Sequence, residues 1–326
     1  MLRPILRTIP IAAPIVLALC MSAMAQEVKY YDLPAGDRPH DVAVAPDGTV
    51  WYTGQRKGVM GRLDPRTGEV KIVPLGDGSS PHGVIVGPDG AAWITDGGHN
   101  AIVRVDDKTH EVKSWKLPGD RGYTNLNTAA FDGRGRIWFT GQNGIYGRLD
   151  PKTGNMQVWD APKGRGPYGI TSTPSGDIWY VSLAGSYLAK VDLESGAATV
   201  VEPPKPGVGL RRVWSDSKGL LWVSEWNAGN VSAYDPRAKT WKTWPLPADG
   251  ARCYSVYVDE RDKVWLTDFT SNAIVRFDPE TEKFESFPSD KPGANVRQML
   301  GRQGEAWGAE SGTNRLVVVK YGKPAD

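Results

Sequence analysis

Apolar and polar residues alternate along most of the chain, and the alternation recurs at a nearly constant interval. Val42 and Val44 in one segment, and Val84 and Val86 in another, show the period of two that is typical of a β-strand. Each such run leads into a short turn and then into a tryptophan. No window shows a sustained period of 3.6 residues, so the pattern predicts short strands and excludes a helical solenoid.

Seven tryptophans occupy matching positions in these runs, at successive separations of 42, 45, 41, 43, 43 and 42 residues: Trp51, Trp93, Trp138, Trp179, Trp222, Trp265 and Trp307. A further strand follows each tryptophan, then a turn of the Asp-Pro-x-Thr-Gly kind and a last short strand. Four antiparallel strands in a repeat of this length are typical of a β-propeller blade. We therefore predict an all-β, seven-bladed β-propeller, in which most tryptophans pack between blades.

The turn before each tryptophan is expected to contain a residue with positive φ. Glycine lies three residues before the tryptophan in six of the seven repeats, and Asp262 takes this place in the sixth. Glycine and aspartate tolerate positive φ better than most residues, and tight hairpin turns require it. The repeat therefore specifies its turn chemistry as well as its strands.

The two ends of the chain predict how the ring closes. The seventh repeat stops after its third strand, at residues 316–320, whereas an additional strand at residues 27–33 precedes the first repeat. That strand resembles the fourth strand of the other repeats. We predict that it completes the last blade, so that residues 26–326 form a single domain without an incomplete blade.

Residues 1–25 have the pattern of a secretory signal peptide. Arg3 and Arg7 precede an apolar stretch, and Ala23 and Ala25 form a small-x-small cleavage pattern. A membrane anchor is the alternative, but the apolar run is short and interrupted by prolines. We expect cleavage near Ala25 and a bacterial periplasmic or secreted mature protein with no membrane span. Its one thiol would be Cys253, so it would have no internal disulfide.

Charge and composition narrow the range of partners. The chain has 39 basic and 37 acidic residues, and its 38 glycines and 25 prolines indicate a turn-rich globular fold. A nearly neutral protein has no electrostatic reason to bind nucleic acid. We predict a monomer that binds a small-molecule or peptide ligand.

The position eleven residues before each tryptophan is where a ligand site is expected. The first strand of a propeller blade lines the central channel, so residues entering it converge at the channel mouth. Two of the four histidines of the chain, His40 and His82, occupy this position in adjacent repeats. We predict His82 as the general base, with His40 as a second catalytic residue. The same position supplies the predicted substrate-binding residues Asn127, Tyr168, Arg211 and Tyr254.

A second set of equivalent positions, three residues after the tryptophans, is rich in carboxylates. Its acidic members are Asp96, Glu225, Asp268 and Glu310. Oxygen ligands of this kind suit a hard cation, so these four residues are the predicted metal ligands. The alternative is that they accept hydrogen bonds from backbone loops or pair with Arg211 and Arg212.

The repeat Pro-His-Gly-Val, Pro-Asp-Gly-x-x-Trp-x-Thr-Asp/Glu and Asn-x-Ile-x-Arg-x-Asp resembles that of the virginiamycin B lyase (streptogramin lyase) family over residues 26–326. The resemblance implies a seven-bladed propeller that uses Mg²⁺ to linearise cyclic depsipeptides by elimination at the ester. It also implies a histidine base, a second histidine that contacts substrate, and two metal-binding glutamates. His40 and His82 correspond to the histidines, and Asp96 corresponds to one glutamate.

The chain departs from the family pattern at the other metal ligand. That glutamate is expected two residues before the base, where Ser80 and Arg38 stand in this chain. The family's site also lies late in the chain, where this sequence has Arg252-Cys253-Tyr254. We therefore expect weak or no turnover of a streptogramin.

Three other interpretations remain open. A lactonase-type hydrolase would use a channel site for Ca²⁺, but such propellers have six blades. The segment at residues 150–159 is similar to a quinoprotein docking motif, which belongs to eight-bladed folds. A non-enzymatic periplasmic ligand- or protein-binding propeller is the third, because one fold hosts many functions. The leading prediction is an exported lyase that acts on a cyclic ester or depsipeptide.

Overall fold

The computed structural model describes residues 26–322, which form seven sheets of four antiparallel strands each. No helix within this range is long and apolar enough to cross a membrane. The predicted signal peptide at residues 1–25, with its cleavage near Ala25, lies outside the described residues. The predicted fold class, a seven-bladed β-propeller, is confirmed.

The strands follow one another blade by blade. A single strand, β1 (Glu27–Asp32), precedes the first blade. The first four blades are formed by β2 (Pro39–Val44), β3 (Val50–Gly54), β4 (Val59–Leu63) and β5 (Val70–Pro74); β6 (Pro81–Val86), β7 (Ala92–Asp96), β8 (Ala101–Val105) and β9 (Val112–Lys116); β10 (Leu126–Phe131), β11 (Ile137–Gly141), β12 (Ile145–Leu149) and β13 (Met156–Asp160); β14 (Pro167–Ser172), β15 (Ile178–Ser182), β16 (Tyr187–Val191) and β17 (Ala198–Val201). The remaining strands are β18 (Leu210–Ser215), β19 (Leu221–Glu225), β20 (Asn230–Asp235) and β21 (Thr240–Pro245); β22 (Cys253–Val258), β23 (Val264–Asp268), β24 (Ala273–Asp278) and β25 (Lys283–Pro288); β26 (Val296–Arg302), β27 (Glu305–Glu310) and β28 (Arg315–Lys320).

The first and last strands close the ring. β1 pairs antiparallel with β28, in a register that places Glu27 opposite Lys320 and Asp32 opposite Arg315. The buried ring of Tyr31 stacks on Trp307, with centroids 5.4 Å apart. The predicted completion of the last blade by the N-terminal strand is confirmed.

The turn that joins the first two strands of each blade has the predicted backbone conformation. All seven residues three positions before the tryptophans have positive φ, from 57° at Asp262 to 84° at Gly48 and Gly219. Asp262 also accepts hydrogen bonds from the backbone N–H and hydroxyl of Ser217 in the neighbouring blade. The aspartate thus replaces glycine at a place where its carboxylate gains partners.

The core lies between blades, as the tryptophan pattern predicts. Trp307 packs with Val42 and Tyr52 of the first blade, and Trp179 packs with Val213 of the fifth. Most of the seven indole N–H groups are hydrogen-bonded; for example, that of Trp138 donates to Asp132 over 2.8 Å. Burial of these large side chains between neighbouring sheets holds the blades together.

The innermost strands carry the candidate site. The first strands of neighbouring blades contact one another around the ring, so they line the central channel. Each of them has a break in register within its first few residues, and in the first blade it falls between Pro39 and Val42. Such irregularities re-aim side chains. The second residue of each inner strand stands at this irregularity.

Candidate functional site

The two histidines of the inner strands lie against each other. The rings of His40 and His82 have centroids 3.9 Å apart, and each residue is only 4% exposed. They belong to adjacent blades and stand at equivalent positions, as the repeat predicts. The structure therefore brings the two predicted catalytic histidines together on one face of the ring.

His40 is held by the residue that follows it. Its Nδ1 lies 2.7 Å from Oδ1 of Asp41, and its Nε2 lies 3.5 Å from the hydroxyl of Tyr254. Burial lowers the pKa of His40 well below its usual value, and the nearby Arg297, Arg212 and Arg211 lower it further. The ring is therefore neutral near pH 7, with Nδ1–H donating to Asp41 and the unprotonated Nε2 facing the Tyr254 hydroxyl.

His82 has a different environment. Its Nδ1 lies 3.0 Å from the carbonyl oxygen of Asn127, and its Nε2 lies 3.1 Å from the side-chain Nδ2 of the same residue. Burial lowers the pKa of His82 well below its usual value, and proximity to His40 adds to this effect. In the neutral ring, Nδ1 donates and Nε2 accepts, so Asn127 occupies both nitrogens.

Two tyrosines and an arginine complete the predicted set. The hydroxyls of Tyr168 and Tyr254 lie 2.9 Å apart, and Nη2 of Arg211 donates to the Tyr168 hydroxyl over 2.8 Å. The Arg211 guanidinium carbon lies 3.8 Å from the centroid of the Tyr254 ring. Together with the histidines and Asn127, the predicted catalytic and substrate-binding residues form one continuous cluster.

The arginines around Tyr254 favour its ionised form. Burial raises its pKa, but the guanidinium groups of Arg211, Arg212 and Arg297 together lower it to about 7. Nη1 of Arg297 lies 3.4 Å from the Tyr254 hydroxyl. A phenolate at this position would accept the hydrogen bonds that the neighbouring arginine and tyrosine offer.

A buried ion pair that sequence reasoning missed spans the channel. Arg212, in the fifth blade, approaches Asp41 of the first blade, with Nη2 to Oδ1 at 3.2 Å, and donates from Nη1 to Thr128 of the third blade over 2.6 Å. Burial raises the pKa of Asp41, and the charge of Arg212 opposes that rise. The position of Asp41 directly after His40 was the available sequence signal.

A cavity of about 440 Å³ opens beside His40. Its lining is polar and basic, and consists of Arg38, His40, Gln55, Arg56, Ser80, Arg297 and Ser311. Gln55 and Ser311 both lie four residues after a repeat tryptophan, a position that sequence reasoning did not single out. Trp226 and Phe269 share this position and pack edge-to-face, with centroids 5.4 Å apart.

Hydroxyl side chains two residues after the tryptophans fix the backbone of the site. Thr53 donates to the carbonyl oxygen of His82 over 2.9 Å, Thr95 to that of Asn127 over 2.6 Å, and Ser224 to that of Tyr254 over 2.9 Å. Each bond joins one blade to the next. The site residues are therefore positioned by the contacts that also join the blades.

The sequence profile of the virginiamycin B lyase family matches residues 18–252. The chain belongs to this family. Two structures of virginiamycin B lyase from Staphylococcus aureus, one selenomethionine-substituted and one a catalytically inactive histidine-to-alanine variant with quinupristin, match with TM-score 0.83 and 20% identity. Each match covers 91% of this chain and 99% of the other.

A propeller described as YCF48 bound to D1 peptide also matches, with TM-score 0.71 and 15% identity, over 91% of this chain and 95% of that chain. No curated protein sequence matches the chain. Structural likeness at these identities shows the shared propeller fold. Membership of the virginiamycin B lyase family rests on the sequence profile.

The four carboxylates predicted as metal ligands are each engaged with their own loops. Oδ1 of Asp96 accepts from the backbone N–H groups of Ser80, Gly98 and His99. The other three also accept hydrogen bonds from neighbouring groups, Glu225 and Glu310 from side chains alone: Asp268 from Arg252 N, Thr270 N and the Ser271 hydroxyl; Glu225 from Asn230 and Ser232; Glu310 from Ser289, Thr313 and Arg315. No three of them come together within the described range. Their role as metal ligands stays a prediction, and their contacts match the alternative interpretation.

The described residues offer one compact cluster of three potential ligands for the Mg²⁺ that the virginiamycin B lyase family implies. The one cluster with close ligand atoms, all within 4.8 Å, is His40, Asp41 and His82. Mg²⁺ prefers oxygen ligands in octahedral geometry, whereas this cluster offers two imidazoles and one carboxylate. That carboxylate is already paired with Arg212, and Asn127 occupies both nitrogens of His82. This cluster therefore does not fit Mg²⁺, and the family's Mg²⁺ stays a prediction for this chain.

Proposed function

We propose that this chain is an exported bacterial lyase that opens an ester of a cyclic ester or depsipeptide-type substrate by elimination at the channel mouth. Family membership supports the reaction class, and the cluster around His40 supports the location. The leader at residues 1–25 supports export, with cleavage near Ala25 and a periplasmic or secreted mature protein.

The observation that carries the proposal is the orientation of His40. Asp41 holds the Nδ1–H of the ring over 2.7 Å, and the same histidine lines the cavity. A carboxylate that fixes the tautomer of an imidazole leaves Nε2 as the basic atom. The lowered pKa of His40 keeps the ring neutral, and the adjacent Asp41 carboxylate stabilises the imidazolium that forms when Nε2 takes a proton from a carbon acid in the cavity.

The bonds of the elimination balance without a cofactor. The C–H bond next to the ester-bearing carbon breaks, and its proton goes to Nε2 of His40. The electron pair of that bond forms a C=C bond, the C–O bond of the ester breaks, and the leaving group departs as a carboxylate. Arg297 lines the same cavity and supplies a guanidinium for the developing negative charge.

His82 is assigned a different role in this proposal. The sequence predicts it as the base, but both of its nitrogens are hydrogen-bonded to Asn127 and it does not line the cavity beside His40. We propose that His82 packs against His40 and keeps its ring in place. Its replacement should then impair turnover less than the loss of His40.

Turnover is tested by mass spectrometry on a panel of cyclic depsipeptides and cyclic β-acyloxy esters, with quinupristin included. Elimination gives a ring-opened isomer of unchanged mass, whereas hydrolysis adds the mass of one water. On quinupristin we expect weak or no turnover, with or without Mg²⁺. With an accepted ester we expect the isomer, its formation unaffected by a chelator and abolished in His40→Gln.

The matched control is His82→Gln, at the equivalent position of the next blade. It should retain measurable turnover if His40 is the base. Loss of turnover in His82→Gln with full activity in His40→Gln would reverse the assignment. A hydrated product, or no ring-opened product from any ester of the panel, would contradict the lyase proposal.

A further inference from the structure

The cavity beside His40 is lined by three arginines and by no carboxylate. Arg38, Arg56 and Arg297 line it together with Gln55, Ser80, Ser311 and His40. Elsewhere on the ring, arginines such as Arg62 and Arg104 form ion pairs with aspartates, at 2.8 and 2.7 Å. The concentration of basic side chains at one mouth of a nearly neutral protein marks this surface as unusual.

None of these three guanidinium groups forms an ion pair with a carboxylate in the part of the chain that the structure covers. Arg297 donates from Nε to the hydroxyl of Ser311 over 2.8 Å, and its Nη1 reaches Tyr254. Arg38 and Arg56 are exposed at the rim. Arg38 also holds φ at 49°, a conformation that is uncommon for a residue with a long side chain.

A fourth positive charge lies behind the cavity. The guanidinium of Arg211 lies over the rings of Tyr168, Trp226 and Tyr254, at 4.6, 4.6 and 3.8 Å from their centroids. Its Nε is buried and has no hydrogen-bond partner. The faces of Tyr168 and Trp226 stabilise this cation without neutralising it, whereas the phenolate of Tyr254 offsets part of its charge above about pH 7.

The carboxylate of Asp41, which follows the cavity residue His40, is engaged with other groups. Asp41 is bonded to both Arg212 and His40 and forms no direct ion pair with Arg211 or Arg297. The same excess of positive charge opposes a divalent cation at this place. The mouth is therefore suited to the opposite charge, and guanidinium forks match the oxygen geometry of carboxylates and phosphates.

We propose that the channel mouth binds an oxyanion group of its ligand, a carboxylate or a phosphate, directly through the guanidinium groups of Arg297, Arg56 and Arg38. Arg211 adds favourable charge from behind. This inference rests on the proposed function only for placing the ligand in the cavity beside His40. It deepens that function, because an ester cleaved by elimination releases a carboxylate into the same cavity.

Binding is measured by titration calorimetry of the protein with inorganic phosphate and, separately, with succinate, in an anion-poor buffer. We expect both Arg297→Gln and Arg56→Gln to weaken binding by about tenfold, as expected for the loss of a hydrogen bond between charged groups. Binding should fall as salt is added and should be unchanged by a chelator or by Mg²⁺. A preference for one probe identifies which oxyanion the mouth favours.

Arg237→Gln is the matched control, since Arg237 lies between β20 and β21, in a turn on the opposite face, and forms no ion pair in the described range. It should bind both probes like the wild type. Arg56 is exposed, so its variant tests the proposal even if Arg297→Gln fails to fold. Equal affinity in all variants, no binding by the wild type, or binding that requires Mg²⁺ would overturn the proposal.

The outcome is separable from that of the lyase proposal. The titrations need no turnover, and His40→Gln should still bind the oxyanion while it loses elimination. Oxyanion binding without any ring-opened product would leave the arginine site standing and reject the enzyme. Turnover without oxyanion binding would support the lyase proposal and reject the arginine site.

Discussion

Arg212 and Asp41 are 171 residues apart in the chain and form an ion pair of 3.2 Å at the centre of the ring. Both side chains are 2% exposed, so neither charge has access to bulk water. The pair connects the fifth blade to the first across the channel, and the same Asp41 orients His40. One contact therefore links two distant blades to the geometry of the candidate base.

Removal of one partner of this pair should be costly. We expect Arg212→Met to lower the free energy of unfolding by about 3–5 kcal/mol, because it leaves the buried Asp41 without its countercharge. Urea unfolding measures the change. The double variant Arg212→Met with Asp41→Leu should lose less than the two single changes together. Full additivity would show that the two residues do not act as a pair.

Acid should destabilise the fold through the two buried histidines. Burial lowers the pKa of both His40 and His82, whereas an unfolded histidine binds a proton near its usual pKa of about 6.5. The unfolded state thus takes up more protons as the pH falls below about 6.5, and stability decreases. Melting temperatures measured across this pH range should show the decline, and the decline should be smaller in His82→Asn. An unchanged decline would assign it to other groups.

Tyr254 should ionise near neutral pH. Its pKa is lowered to about 7, so the tyrosinate absorbance should rise around that pH and this step should be missing in Tyr254→Phe. Arg297→Gln should move the step to higher pH, because one of the lowering charges is lost. Because the pKa of Tyr254 is lower in the folded protein than the value of about 10 in the unfolded chain, its ionisation stabilises the fold. This contribution to the free energy of unfolding is complete above about pH 10 and is lost as the pH falls through about 7. A single tyrosine step near pH 10 would contradict this assignment.

Deletion of residues 26–34 should destabilise the whole ring. The deletion exposes the edge of β28 and removes Tyr31 and Leu33, which are 7% exposed each, from the core. Unpaired strand edges recruit other chains, so we expect a lower melting temperature together with aggregation, measured by calorimetry and light scattering. The control Glu27→Ala removes only an exposed pair with Lys320 and should be nearly neutral.

The repeat was sufficient to predict the fold. Equivalent positions in the seven repeats need the same backbone conformation. The positive φ at Gly48 and at Asp262 could therefore be predicted from the turn alone. Equivalent positions also converge by symmetry. This is why His40, Tyr168 and Tyr254 could be placed at one mouth without knowledge of any contact.

The groups that these residues contact could not be predicted, because the symmetry of the repeat does not specify individual side-chain contacts. Asp96 occurs at a position shared with other carboxylates, but its role depends on the backbone N–H groups that its own loop turns toward it. The reach of Arg212 across the channel depends on the length of its side chain and on close packing of its backbone against Gly169. A Cβ atom at position 169 would lie only 2.6 Å from the Cα of Arg212. Such details follow from packing between blades and have no counterpart in a repeat pattern.

The pairing of β1 with β28 also bears on the order of events during synthesis. Glu27 and Lys320 are 293 residues apart, so the strand made first has no partner until the strand made last has been translated. Contacts of such long sequence separation form slowly. Until then, the unpaired strand can pair with other chains, and the risk of aggregation grows with the time that translation takes. A circular permutant that places β1 directly after β28 would turn this last long-range step into a local hairpin, and the ring should then assemble faster without any change in its final contacts.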